Sequence, residues 1–479
     1  MDKNIRTRFA PSPTGYMHIG NIRTALYAFL YARSRKGKFI LRIEDTDRER
    51  HVEDATQVIY DTLNIAGLSY DEGPDIGGEY GPYIQSERKE IYKKYALDLV
   101  KRGKAYFCFC SKDDSKTDEG YDRHCRYLSQ EEIQKNLDMG KPYVIRQKID
   151  LEGNTSFNDA VFGEITVENK TLDDQILLKS DGMPTYNLAN VIDDHLMKIT
   201  HVIRGSEYLS SNPKYIQLYN AFDWEVPEYI HLPLILGQNE DGSVTKLSKR
   251  HGAVSFQELT GEGYLPAAIM NYIALLGWSP KNDQEIFSMA ELIDAFSIQG
   301  INKSPSIFDY KKLDWINSGH IKLLPFGEFS SLAYPYAEIS GTLLENKWTE
   351  IAAILQSRIH KFTQIPELIG FLYKLSPYSL ELFINKKNKS TLESSIGLIN
   401  SSLAIVNSVD PWNQDTLKNV FEDFSRSRNI KFGHLMWPLR IALSGLSVTP
   451  GGAIEIMSII GKNETINRFN YAIHLIRGI

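Results

Sequence analysis

Cysteine is nearly missing from this chain, with three in 479 residues. So sparse and odd a set excludes a disulfide framework and fits a reducing compartment. Long apolar runs are missing too. Nothing approaches the ~18 consecutive apolar residues of a membrane span. Met1-Asp2-Lys3-Asn4 does not open an apolar stretch of the secretory kind, so a cytoplasmic location is expected. Positive charge is in deficit, 54 Lys+Arg against 60 Asp+Glu, which argues against a nonspecific nucleic-acid binder working through bulk charge. The distribution softens that objection. From Ile321 onward there are 16 Lys+Arg against 13 Asp+Glu, and selective RNA binding needs local basic tracks rather than global charge. Internal repeats and extended low-complexity tracts are absent as well; Lys386-Lys387-Asn388-Lys389 is a short basic turn.

What is present is an ordinary globular composition, 42% hydrophobic, on a length that suggests three or four structural units. Up to about Arg102 the pattern alternates: strand 5–9, helix 21–35, strand 39–43, helices 52–66 and 86–101. Such alternation implies a parallel sheet covered by helices. Between 104 and 179 the chain changes character, with short apolar runs, a Lys/Asp-rich loop at 111–119 and a strand at 143–148, and reads as an insertion. Alternation resumes with strand 199–204, helix 212–222 and strand 229–236. After Gly261 helical spacing takes over, with helices at 266–276 and 288–296, and the last third reads as all helical.

Two segments about 230 residues apart carry most of the chemistry. Pro11-Ser12-Pro13-Thr14-Gly15-Tyr16-Met17-His18-Ile19-Gly20 is a turn between a strand and a helix. It brings backbone N–H groups, a helix N-terminus and one imidazole to a single point, which suits a triphosphate. Lys246-Leu247-Ser248-Lys249-Arg250 is a basic loop able to cover the same phosphates. Either alone is a weak signal. Order and flanks strengthen them: Phe39-Ile40-Leu41-Arg42-Ile43-Glu44-Asp45-Thr46-Asp47, then Leu178 to Asn190, then His201-Val202-Ile203-Arg204-Gly205-Ser206-Glu207, and finally Pro438 to Gly445. Together these segments resemble class I aminoacyl-tRNA synthetases, specifically the glutamyl-tRNA synthetases, across essentially the whole chain.

That resemblance implies an α/β fold: a Rossmann-type catalytic domain (1–103 and 180–255) split by an acceptor-end-binding module (104–179). A helical stem-contact domain (256–325) and an all-helical anticodon-binding domain (326–479) follow. It implies ATP-dependent joining of glutamate to tRNA-Glu through a glutamyl-adenylate, with charging of tRNA-Gln for later amidation as the alternative. His18, Gly20, Lys246, Ser248 and Lys249 would serve catalysis, which here is positioning and electrostatics without a nucleophile or general base. His18, Gly20, Lys246, Lys249 and Glu207 would meet ATP. Mg²⁺ is expected on the triphosphate, and a monomer is expected. Arg204 and Tyr186 would face the glutamate side chain, Arg8 would bridge, Ser12 and Glu44 would approach the α-amino group, and Asn190 would lie beside them. Arg8 and Arg204 also fall at the carboxyl ends of predicted parallel strands, where open α/β sheets place ligands.

All three cysteines cluster, Cys108, Cys110 and Cys125, which favours one structural Zn²⁺ over scattered thiols. The fourth ligand is open between Tyr121 and His124. The Cys-x-Cys…Tyr-x-x-x-Cys pattern resembles zinc-bearing members of the family and ranks Tyr121 first, whereas chemistry alone favours the imidazole. Arg358, Arg426 and Arg428, in basic stretches of the last third, are candidates for the anticodon arm. A small-substrate ligase of the same superfamily would not need the helical third, and a silent paralog would be expected to lack His18 or Lys249.

Overall fold

The computed structural model describes residues 4–46, 54–110, 121–252 and 254–478. Asp47, Val52 and the loop at 111–119 lie outside the described residues. The chain divides into two compact units, residues 1–261 with 266–313, and residues 262–265 with 314–479.

In the first unit, β1 (Arg6–Phe9) and β2 (Lys38–Leu41) pair in parallel across the helix α1 (Ile19–Ser34). That helix is buried on most of its surface, Ile22, Ala25, Leu26, Tyr27 and Ala28 having no exposure, so it is apolar nearly all round rather than on one stripe. Next come α2 (Ala55–Ile65) and α3 (Lys89–Lys101), the latter preceded by a 3₁₀ turn at Gln85–Arg88 where one helix from 86 is expected. The strands β3 (Ala105–Cys108), β4 (Val144–Gln147) and β7 (Ile176–Leu178) form an antiparallel sheet in the order β3-β4-β7. Between them lie α4 (Gln130–Asp138), β5 (Asn154–Asp159) and β6 (Gly163–Glu168). The small sheet shares one core with the helices around it: Ala105, Ile145 and Leu177 pack with Tyr92 and Leu99 of α3 and with Leu188 and Tyr219 beyond.

Parallel order resumes with α5 (Tyr186–Leu196), β8 (His201–Gly205), α6 (Asn212–Ala221) and β9 (Glu228–Leu232). Strand β8 pairs with β9 and lies beside β1, where the Thr200 amide donates to the Arg6 carbonyl (3.0 Å). Strand β9 continues the sheet to β5. The single strand expected at 229–236 is two, β9 and β10 (Ile235–Gln238), because Pro233 offers no N–H to carry a ladder through. A hairpin, β10 with β11 (Val244–Lys246), delivers the basic loop.

In the second unit the described residues form helices, as the spacing implies. Buried Arg468 ties several of them together, donating to the carbonyls of Phe371 (2.8 Å), Leu443 (2.6 Å) and Leu372 (3.2 Å) while Glu464 accepts from its Nε (2.7 Å). Carbonyls at two helix ends thereby gain a cationic partner. No helix among the described residues is long and apolar enough to cross a membrane.

Candidate active site

One cleft of about 1630 Å³ opens at the carboxyl ends of β1 and β8, and it gathers most of the singled-out residues. Its floor begins with the turn after β1. His18 is the N-cap of α1, and its Nδ1 accepts from the Gly20 amide (3.1 Å). Since a backbone amide can only donate, the ring proton of neutral His18 sits on Nε2 and points away from the helix. Burial, followed by the nearby Lys246 charge, lowers the His18 pKa against the opposing hydrogen bond to the Leu247 backbone, so the ring is a neutral donor at pH 7. Gly20 has no positive φ, and a Cβ there would meet only His18 Nδ1, at 3.5 Å. Nothing inside the protein requires glycine at that position, and the open space belongs to the cleft.

Opposite lies the basic loop. Ser248 N-caps a 3₁₀ turn at Lys249–His251, its amide donating to His251 Nδ1 (3.0 Å), while His251 Nε2 meets Asn239 Oδ1 (3.0 Å) from the hairpin. That imidazole pins the loop to the hairpin that precedes it. Lys246 and Lys249 are exposed, line the cleft and form no ion pair among the described residues.

Beneath the cleft runs a buried ion network. Asp194 of α5 accepts from Arg8 (Nε 3.0 Å, Nη2 3.3 Å) and Arg42 (2.7 Å), and Arg42 also donates to Glu44 (2.9 Å). Asp193, next in the helix, accepts from Arg88 (2.7 Å), Gln85 (2.9 Å) and Tyr92 (2.8 Å). Burial acts to raise Asp194, but Arg8 and Arg42 outweigh it and hold its carboxyl below the ordinary range. For Glu44, burial wins over Arg42 and the pKa rises.

Arg204 is different. It is as buried as Arg8, yet among the described residues it meets no carboxylate. Its Nε donates to His231 Nε2 (3.1 Å) and its Nη2 to Asn212 Oδ1, while Nη1 is buried with no hydrogen-bond partner among the described residues. The rings of Tyr208, Tyr215 and Tyr229 stand 4.9–5.0 Å from its guanidinium carbon. Burial works against its charge, but Tyr186, Tyr229 and Tyr215 outweigh it and keep the group above its ordinary pKa. A cation held in an aromatic box with one donor orphaned is suited to an anionic ligand.

Ser12, Glu44, Tyr186 and Glu207 also line the cleft. Asn190 is not among its lining residues: it is buried one turn along α5, its Nδ2 donating to the Tyr186 carbonyl (2.7 Å). Arg358, Arg426 and Arg428 are exposed in the second unit, Arg426 against Glu422 (3.1 Å) and Asp423 (3.5 Å), and Arg428 over the Phe424 ring.

The three cysteines converge, their sulfurs all within 4.8 Å of one another. Both remaining candidates reach them: Tyr121 donates to Cys108 Sγ (3.4 Å), and His124 Nε2 lies 3.5 Å from Cys110 Sγ with its Nδ1 on Asp122 (2.8 Å). A thiol set backed by a carboxylate-oriented imidazole has the donor chemistry of a zinc site. Hydrogen bonding from Cys125, ahead of that from Tyr121 and Arg146, lowers the Cys108 thiol and favours a thiolate there. Cys108 and Cys110 line the same cleft as Arg204.

Several residues of this site carry no sequence signal of their own. Asp193 and Asp194 look like ordinary helix acids, Arg88 like a surface cation, and His231 sits in an apolar run.

Comparison with known proteins agrees with this geometry. A family profile for tRNA synthetases class I (E and Q), catalytic domain, matches residues 4–315, and one for an anticodon binding domain matches residues 328–473. The glutamate–tRNA ligase of Clostridium botulinum strain Hall is 51% identical, covering 100% of both chains. That of Clostridium tetani is 50% identical over 99% of this chain and 98% of its own. Among solved structures, the glutamate–tRNA synthetase of Elizabethkingia anophelis has a TM-score of 0.87 at 34% identity, covering 98% of this chain and 100% of its own. A glutamate–tRNA ligase of Elizabethkingia meningosepticum, in complex with its amino acid, has a TM-score of 0.86 at 34% identity, covering 98% of this chain and 99% of its own. With about half its residues shared along the full length and the same fold, this chain belongs to the glutamate–tRNA ligases, within the class I tRNA synthetases of the E and Q group.

Proposed function

We propose that the protein activates glutamate with ATP and passes the glutamyl group to the 3′-terminal ribose of tRNA-Glu. The observation that carries this reading is Arg204, a buried guanidinium that among the described residues has no carboxylate partner, lining one cleft with neutral His18 and with Lys246 and Lys249, which form no ion pair among those residues. A glutamate carboxylate supplies the missing charge, and its side chain then lies against Tyr186, with Arg8 bridging and with Ser12 and Glu44 toward the α-amino group. The orphaned Nη1 is the donor a second carboxylate oxygen requires. Asn190 supports Tyr186 from behind. On the phosphate side, His18 Nε2–H donates to the triphosphate and Gly20 leaves room for the adenine ring, with Glu207 nearby. Lys246 and Lys249 meet the β- and γ-phosphates, and Ser248 sets the loop. The α-carboxylate attacks the α-phosphorus, pyrophosphate leaves, and these cations stabilise charge as it develops on the phosphate oxygens. Mg²⁺ would travel with the nucleotide, neutralising it.

The division into catalytic halves (1–103, 180–255), acceptor module (104–179), stem-contact segment (256–325) and anticodon-binding domain (326–479) belongs to the same reading. So do the exposed Arg358, Arg426 and Arg428 as anticodon-arm contacts. Zn²⁺ would be held by Cys108, Cys110 and Cys125 with Tyr121 or His124, and would supply structure rather than chemistry. Work on tRNA and cysteines outside any disulfide support a cytoplasmic location, and a monomer belongs to the same reading. No observation favours tRNA-Gln as the main substrate.

The reading is tested by charging purified tRNA-Glu. Arg204→Ala removes the anion's partner and is expected to raise KM for glutamate about 100-fold or more with KM for ATP little changed. Unaltered glutamate kinetics would take Arg204 out of the substrate site. Gly20→Ala is expected to fold with an unchanged or slightly higher melting temperature, since its Cβ meets little in the protein, while KM for ATP rises by about tenfold. If that variant bound ATP normally, the adenine would lie elsewhere. Elemental analysis of protein purified without added metal is expected to find about one zinc per chain, lost in Cys110→Ser. A content near zero with full charging activity would remove the metal.

A further inference from the structure

We infer that Asp159 and His231 are positioning residues, which orient Arg204 from behind without neutralising it. This rests on the reading of Arg204 as the glutamate-binding cation. The three residues lie on adjacent strands: Arg204 of β8 is the cross-strand partner of His231 of β9, and Asp159 closes β5 beside β9. His231 has no exposure and Asp159 is 1% exposed.

The proton positions follow from obligatory donors. An arginine Nε always carries hydrogen, so His231 Nε2, 3.1 Å away, must accept. The imidazole proton is therefore on Nδ1, where Asp159 Oδ2 takes it at 2.7 Å. Burial lowers the His231 pKa more than the Asp159 contact raises it, which agrees with a neutral ring. Asp159 cannot rotate away, because it also accepts from the backbone amides of His231 (3.1 Å), Val161 (3.0 Å) and Phe162 (2.8 Å). Its charge is spread over those donors instead of lying against the guanidinium.

The choice of an imidazole has a consequence. A carboxylate at the His231 position would orient Arg204 equally well but would occupy its charge, and the substrate would then have to compete with a permanent partner. A neutral nitrogen acceptor fixes the plane of the guanidinium and leaves the charge unspent. With Nε on His231 and one Nη2 proton on Asn212, Nη1 is the guanidinium nitrogen with no hydrogen-bond partner among the described residues.

The test uses two polar variants of unchanged charge, each in the wild-type and Arg204→Ala backgrounds, with charging of tRNA-Glu as readout. His231→Asn keeps a donor toward Asp159 but is too short to accept from Arg204. His231→Gln keeps an acceptor near the Nε2 position. Loss of the Arg204 contact in His231→Asn is expected to raise KM for glutamate about 30-fold, with kcat and KM for ATP within about threefold of wild type. His231→Gln is expected to recover most of that loss. In the Arg204→Ala background neither substitution should change glutamate kinetics by more than about twofold, because the two residues act through one group. Equal effects of Asn and Gln, an undiminished effect without Arg204, or loss of the folded state in both variants would each overturn the inference. An Arg204→Ala enzyme with normal KM for glutamate would instead overturn the reading of Arg204 itself.

Discussion

Two consecutive aspartates on α5 hold the catalytic half together. Asp194 reaches Arg8 on β1 and Arg42 just past β2, while Asp193 reaches Arg88, Gln85 and Tyr92 at the start of and along α3. One short helix thus joins both edges of the nucleotide-binding crossover to the helix that leads into the inserted strands. Burying so many charges is costly, and it is tolerable because every member is paired. Three arginines stand against Asp193, Asp194 and Glu44, so the network is balanced within itself. Removing any one member would strand a buried charge, at about 3–5 kcal/mol.

That balance gives Arg204 its meaning. Beside a neutral network, an arginine that meets no carboxylate among the described residues is a standing positive charge at the end of β8, and on the reading proposed above its Nη1 would donate to the substrate anion. The phosphate side works differently. Lys246 and Lys249 are exposed on a hairpin loop, and neutral His18 would contribute a directed donor rather than charge. On the reading proposed above, the amino-acid end of the cleft would be built from buried, hydrogen-bonded groups and the triphosphate end from exposed ones. Specificity fits the first and turnover the second.

Much of this arrangement was legible in the sequence, for identifiable reasons. His18, Gly20, Lys246 and Lys249 sit in local motifs whose turn chemistry needs only neighbouring residues. The cysteines stood out because the rest of the chain has none. The network did not stand out, because Asp194 and Arg8 are 186 positions apart and Asp194 and Arg42 are 152 apart. Helical acids and scattered arginines usually mean a solvated face, and only the fold shows them buried. Pro233 divides in two the strand expected over 229–236, an expectation in which the apolar run outweighs a single proline. Asn190, expected beside the substrate, is spent on the backbone of its own helix because a buried amide one turn after Tyr186 has that carbonyl within reach. His231 lay hidden in an apolar run, its importance set by a cross-strand neighbour that no local pattern reveals.

If a fixed, uncompensated guanidinium selects the substrate, an uncharged side chain of the same shape must be rejected. The direct measurement is the inhibition constant of glutamine against glutamate in tRNA charging by the unmodified protein. Because the amide brings no charge to Arg204, that constant is expected to lie at least about 100-fold above KM for glutamate. A glutamine inhibition constant close to KM for glutamate would contradict the assignment of recognition to charge at Arg204.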